Sequence, residues 1–96
     1  MTRNERPQVC IITVTGKDKV GIIAKISTAM AKANINILDV TQKIMEEYFV
    51  MTMAVDIAKA TVDMGRIQKQ LDKIAGEMSL RITFQHENIF KKMHRI

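Results

Sequence analysis

The residues best suited to holding a small charged molecule lie in Gly16-Lys17-Asp18-Lys19-Val20-Gly21-Ile22-Ile23, where a short polar loop runs into a helical apolar repeat. The first turn of a helix leaves backbone N–H groups without intrahelical partners and carries partial positive charge. The amides from Val20 to Ile23 therefore suit a carboxylate or phosphate. Gly21 has no side chain to block the approach, and Lys17 and Lys19 supply the only cations of this loop. Asn36 follows the far end of the same helix. Its amide both donates and accepts, which suits a zwitterion such as an amino acid. From that far end it can meet the loop only across a two-fold partner. Each residue also has a plainer role: Asp18 as a helix cap, Gly21 as a point of close helix–sheet approach, Asn36 as the closure of a turn.

The other reactive side chains are scattered. Cys10 is the single cysteine; it forms no internal disulfide, lacks neighbours at zinc-ligand spacing, and reads as a buried strand residue with nothing near it to depress its pKa. His86 and His94 are isolated, whereas a closed metal site needs three or four converging ligands. Asp39 sits in an otherwise apolar run and must face solvent or a partner. No catalytic residue, metal or cofactor is expected.

The elements that position these residues follow from periodicity. Val9 to Thr15 is a β-branched run stopped by Gly16 and reads as a central strand. Ile22, Ile23, Ile26, Ala29, Met30 and Ala33 fall at helical spacing and predict a helix from about Val20 to Ala33, broken by Asn34-Ile35-Asn36. Ile37 to Met45 predicts a second strand and Glu46-Glu47 a turn. Phe49, Met51, Met53, Val55 and Ile57 then alternate with polar or small neighbours, completing a hairpin. Thr61 is read as the cap of a second helix, with Asp63 in its first turn and Gly76 at its end. Leu80, Ile82 and Phe84 mark a fourth strand, and Ile89, Phe90 and Met93 a short amphipathic helical tail. The eight methionines are read as core filler, in keeping with a core that has no Trp.

Strand, helix, strand, strand, helix, strand with right-handed crossovers gives an α+β, ferredoxin-like βαββαβ sandwich: a four-stranded antiparallel sheet with both helices on one face. The other face should carry Thr13, Thr15, Thr52, Arg81, Thr83 and Gln85. Known uses of this architecture can be tested against the residues. Metal carriage needs paired thiolates after strand one, which are absent. RNA recognition needs exposed aromatics on the central strands, and only one of Tyr48 and Phe49 can face outward, as a partner contact. Acylphosphatase chemistry needs an arginine in the loop that here holds only Lys17 and Lys19.

Gly16-Lys17-Asp18-Lys19-Val20-Gly21-Ile22-Ile23-Ala24 followed by Ala33-Asn34-Ile35-Asn36-Ile37 resembles the ACT domain, a small regulatory module of many amino-acid-metabolising enzymes, over Val9 to Phe84. Thr41 to Phe49 and His86 to Ile96 look like the small stand-alone prokaryotic ACT proteins. The resemblance implies a protomer that pairs, often with sheets side by side, and holds an amino acid at the interface. Asp18, Gly21, Ile22 and Asn36 match positions that contact ligand in amino-acid-binding members. Val20 stands where many members have proline, and Gly16 where serine-binding members have histidine, so the resemblance does not name the amino acid.

Ninety-six residues correspond to one domain, since a chain of this size buries only about 60 to 65 % of its unfolded surface. The domain is expected to span 1–96, with a core at 8–86 and a tail at 87–96. The absence of an apolar run long enough for a bilayer, of a signal-peptide pattern and of disulfide pairs points to the cytoplasm. A net charge of +5 is dispersed from Arg3 to Arg95, which makes nucleic-acid binding the weakest reading. The expected function is a homodimeric, non-enzymatic sensor of a small molecule, most simply an amino acid, signalling to a separate enzyme or regulator. The rival is a ligand-free dimerisation or protein-interaction module.

Overall fold

In the computed structural model, which describes residues 6–93, the chain forms β1 (Val9–Lys17), α1 (Ile22–Lys32), β2 (Asn36–Met45), β3 (Tyr48–Asp56), α2 (Met64–Met78), β4 (Leu80–His86) and α3 (Glu87–Met93). His94 and Arg95 of the tail, and Arg3, lie outside the described residues. The strands pair in the order β2-β3-β1-β4, every neighbouring pair antiparallel. This is the expected ferredoxin-like α+β sandwich.

Alternation decides which residues enter the core. Cys10, Ile12 and Val14 of β1, with Met51, Met53 and Val55 of β3, are wholly buried. They join Ile22, Ile26 and Met30 of α1 and Ile67, Leu71 and Ile74 of α2 in one apolar cluster. A cluster holding both helices and one side of the sheet places both helices on that side. The opposite side is mixed and wetter. Thr41, Thr52, Thr13 and Thr83 stand opposite one another across all four strands, flanked by Thr15, Arg81 and Gln85 as the alternation required.

Element ends differ from the sequence reading in instructive ways. β1 continues through Gly16 to Lys17, because a glycine whose added Cβ would lie 2.7 Å from Leu80 Cδ2 lets β4 approach closely. α1 starts at Ile22, since Gly21 takes a left-handed conformation (φ 95°) and Val20 is fully exposed in the preceding turn. The cap of α2 is Asp63 and not Thr61: the Asp63 carboxylate accepts from Arg66 N at 2.8 Å. The same helix passes through Gly76 and ends at Met78, where Ser79 turns left-handed (φ 56°). Met30, Met51 and Met53 fill the core as expected, but Met45 and Met64 are exposed, so packing accounts for only some of the methionines.

Replacing the Asp63 cap with alanine is expected to cost about 1 kcal/mol and lower the melting temperature by roughly 4 to 8 °C. Thr61→Ala should leave melting almost unchanged. Thermal denaturation followed by circular dichroism compares the two; equal losses would return the cap to Thr61.

Candidate ligand-binding site

The loop between β1 and α1 is held in place by main-chain contacts. Asp18 N donates to Glu47 O at 2.9 Å, tying the loop to the β2–β3 turn, and Lys19 Nζ donates to Met78 O at the end of α2. These contacts fix the loop and, with it, the start of α1. Its first turn has no side-chain cap and no acidic residue. Lys25 N bonds back to Gly21 O at 3.0 Å, which leaves the amides of Ile22, Ile23 and Ala24 as the uncapped donors of the first turn. Relative to the expected amides of Val20 to Ile23, the set loses Val20 and Gly21, which precede the helix, and gains Ala24.

The side chains around this end divide by role. Ile22 is buried, so it anchors the helix and only its backbone can face a ligand. The Asp18 carboxylate is exposed and does not cap the helix, and no added Cβ on Gly21 would meet an atom within 4 Å. The close-approach explanation proposed for Gly21 therefore belongs to Gly16 instead. Gly21 is required by its backbone angle.

Asn36 begins β2 opposite Asp56, at the end of the sheet remote from the loop, where Lys17 pairs with Tyr48 and Tyr48 with Met45. The eleven residues of α1 separate these poles by roughly 16 Å at the helical rise. Asn36 lines an open cleft of about 420 Å³ with Asn34, Asp56 and Lys59. Sequence reasoning missed Asp56 and Lys59. Asn34 Nδ2 donates to Lys59 O at 3.0 Å, and Asp56 Oδ1 accepts from Gln8 N at 2.9 Å and Ala58 N at 3.0 Å. The polar end of the β3 alternation was the one available signal.

A second overlooked feature lies between the poles. β2 is an edge strand whose residues are almost all exposed. Val40 and Ile44 pair with the buried Met53 and Phe49 and so face the helix side of the sheet, yet they remain 41% and 53% exposed. Among the described residues, Leu38 and Met45 of the same strand, and Tyr48 paired with Met45 on β3, are exposed as well. Such a concentration along an unpaired edge is the mark of an interaction surface. Leu38 sits in a register shift between Ile37 and Asp39, and Asp39 is solvent-facing as its charge demands.

Neither remaining reactive group adds chemistry. Burial, and secondarily the nearby Glu87 carboxylate, push the Cys10 thiol up from 9.0 to about 11. His86 Nδ1 accepts from Asn88 N at 3.2 Å in a local turn.

A βαββαβ sandwich with an uncapped first helix and an apolar sheet edge defines a small binding domain. A family model described as the ACT domain matches residues 8–85, and the chain belongs to that family. A UPF0237 protein of Methanocaldococcus jannaschii is 46% identical over 86 residues, covering 90% of this chain and 96% of the relative. The solved ACT domain protein from Streptococcus pneumoniae is 31% identical with a TM-score of 0.75, covering 90% of this chain and 97% of that one. The ligand-free regulatory subunit of aspartate kinase from Thermus thermophilus shares the fold at 20% identity, with a TM-score of 0.64, over 81% of this chain and 51% of that one.

Gly21→Ala is expected to destabilise by about 1 to 2 kcal/mol through backbone strain alone, with Gly21→Asn milder because asparagine tolerates left-handed angles. Urea unfolding midpoints would show the order. Cys10 should resist iodoacetamide at pH 8 in the native protein and react readily in denaturant, as mass spectrometry would record. The raised thiol pKa favours the neutral form in the folded state. Its contribution is complete below pH 9 and disappears as pH rises towards about 11.

Proposed function

We propose that the chain is a non-catalytic regulatory module that works as a homodimer and holds a small zwitterion, most simply an amino acid, between subunits. The observation that carries this reading is the placement of Asn36 and the Asp18–Ile22 segment at opposite poles, with an uncovered apolar strand running between them. Antiparallel pairing of two β2 edges brings the start of one strand to the end of the other. Asn36 of one subunit then approaches the partner's Asp18 to Ile22 loop.

The β2 sequence suits such pairing when centred on Thr41. Asp39 then stands opposite the partner's Lys43 and Leu38 opposite the partner's Ile44, an ion pair and an apolar pair repeated by the two-fold axis. Val40 and Ile44 become covered by the two α1 helices, beside Ile23. In the composite site the first-turn amides and Lys17 receive the ligand carboxylate, and the Asn36 side chain receives the ammonium through its oxygen. A ligand that bridges two subunits stabilises one arrangement of the pair over others, which is the physical content of a regulatory signal to a separate enzyme or regulator.

Sedimentation equilibrium should show a dimer that Ile44→Asp converts to a monomer. A thermal-shift panel of amino acids should give at least one stabiliser. Ligand at 100 times its dissociation constant adds about 2.7 kcal/mol, and Asn36→Ala should abolish that gain while the dimer persists. A dimer stabilised by no amino acid would instead be a ligand-free interaction module. A wild-type monomer would sink both readings.

A further inference from the structure

The helix layer carries a surface that the β2 edge and its ligand do not use. Strand directions alternate, so α1 and α2 run in opposite senses. The side of α1 facing α2 is built from the small residues Ala24, Thr28 and Ala29, which leaves an open trough of about 480 Å³ between the helices, with Ile74 of α2 on its floor. Lysines dominate the rim: Lys25, Lys32 and Lys73 against the single carboxylate of Glu77. Lys25 Nζ meets Glu77 Oε1 at 3.3 Å. Lys32 and Lys73 are exposed and have no hydrogen-bond or ion-pair partner among the described residues.

An apolar floor beneath unbalanced positive charge selects its occupant by chemistry and by spacing. Lys25 and Lys32 are seven residues apart along α1, roughly 10 Å at the helical rise. One phosphate or carboxylate reaches only one end of such a rim. Two carboxylates a heptad apart on a helix have the same repeat, and the apolar residue between them falls over Ala29 and Ile74. A second copy of this face would set lysine against lysine and is disfavoured. The small-residue floor offers no stacking platform to a nucleic acid, and Glu77 repels its backbone.

We propose that the trough between α1 and α2 docks an acidic amphipathic helix of a partner protein. The trough is lined from α1 by Ala24, Thr28 and Ala29 and includes no residue of β2, so both surfaces can be occupied together. The inference therefore stands independently of the dimer and of its ligand.

The test is an amide-resolved NMR titration of the full chain with a synthetic helical peptide of about 15 residues, carrying glutamates one heptad apart around a leucine. A lysine-for-glutamate peptide, inorganic pyrophosphate and a single-stranded oligonucleotide are titrated alongside. Saturable shifts confined to the Ala24–Lys32 and Gln70–Glu77 amides are expected with the acidic peptide and absent with the lysine peptide. Binding should weaken about tenfold in the K32E/K73E double variant and also with added salt, as for a charge-steered contact. Both substitutions are on exposed positions, and an unchanged melting temperature separates lost docking from lost folding; K32A/K73A serves if the reversal perturbs the helices. No saturable shift in the trough, equal binding of the lysine peptide, or an oligonucleotide or pyrophosphate complex on these amides that the acidic peptide cannot displace would each overturn the proposal.

Discussion

Both strand–helix–strand passages cross on the same side of the sheet, and nearly every property of this molecule descends from that constraint. A right-twisted strand feeding a right-handed helix packs back in one hand only. Two such passages around β1 therefore bury one sheet face and leave the other wet. Cys10, Ile12 and Val14 become the centre of the core, while Thr13 joins the row of threonines on the other face and Thr15 flanks it. The alternation of strand direction also sorts every loop to one of two poles. It sends the start of α1 to one of them and Asn36 to the other, which is why a site using both needs two subunits.

Two helices cannot cover four strands evenly. β2, at the end of the order, is hydrogen-bonded on one side only, and its residues are almost all exposed. Val40 and Ile44 are residue types of a buried strand, in a place where they stay exposed. In the proposed dimer the apolar side chains of β2 join a core that is completed between molecules. The trough on the helix layer has the opposite character, since the exposed Lys32 and Lys73 on its rim disfavour packing against a second copy.

How much of this was legible in the sequence depended on whether the signal was local. The period-two pattern of β3 and the three-and-four spacing of α1 and α2 gave each element and its buried face, because burial imposes those periods directly. Ends were less readable. Thr61 and Asp63 are both good caps, and only the backbone path of residues 61–63 decides that Asp63 reaches Arg66 N. Gly76 resembles a terminator, but nothing forces a left-handed turn there, and the chain turns at Ser79 instead. Within the site, the glycine-bearing loop and Asn36 were visible as residue types at meaningful places. Their separation followed from strand order, whereas the left-handed angle at Gly21, the Asp18–Glu47 tie and the cleft with Asp56 and Lys59 depend on contacts between distant segments. The α1–α2 trough left no trace in the sequence for the same reason: it is a gap made by two faces, neither unusual alone.

Tyr48 is the single tyrosine in a chain without tryptophan, and it stands half-exposed between Lys17 and Met45, next to the residue that ties down the Asp18 loop. The tyrosine emission of the molecule therefore comes from the pole where the first helix opens. The protein carries its own fluorescent reporter beside the candidate ligand loop, with no label to attach.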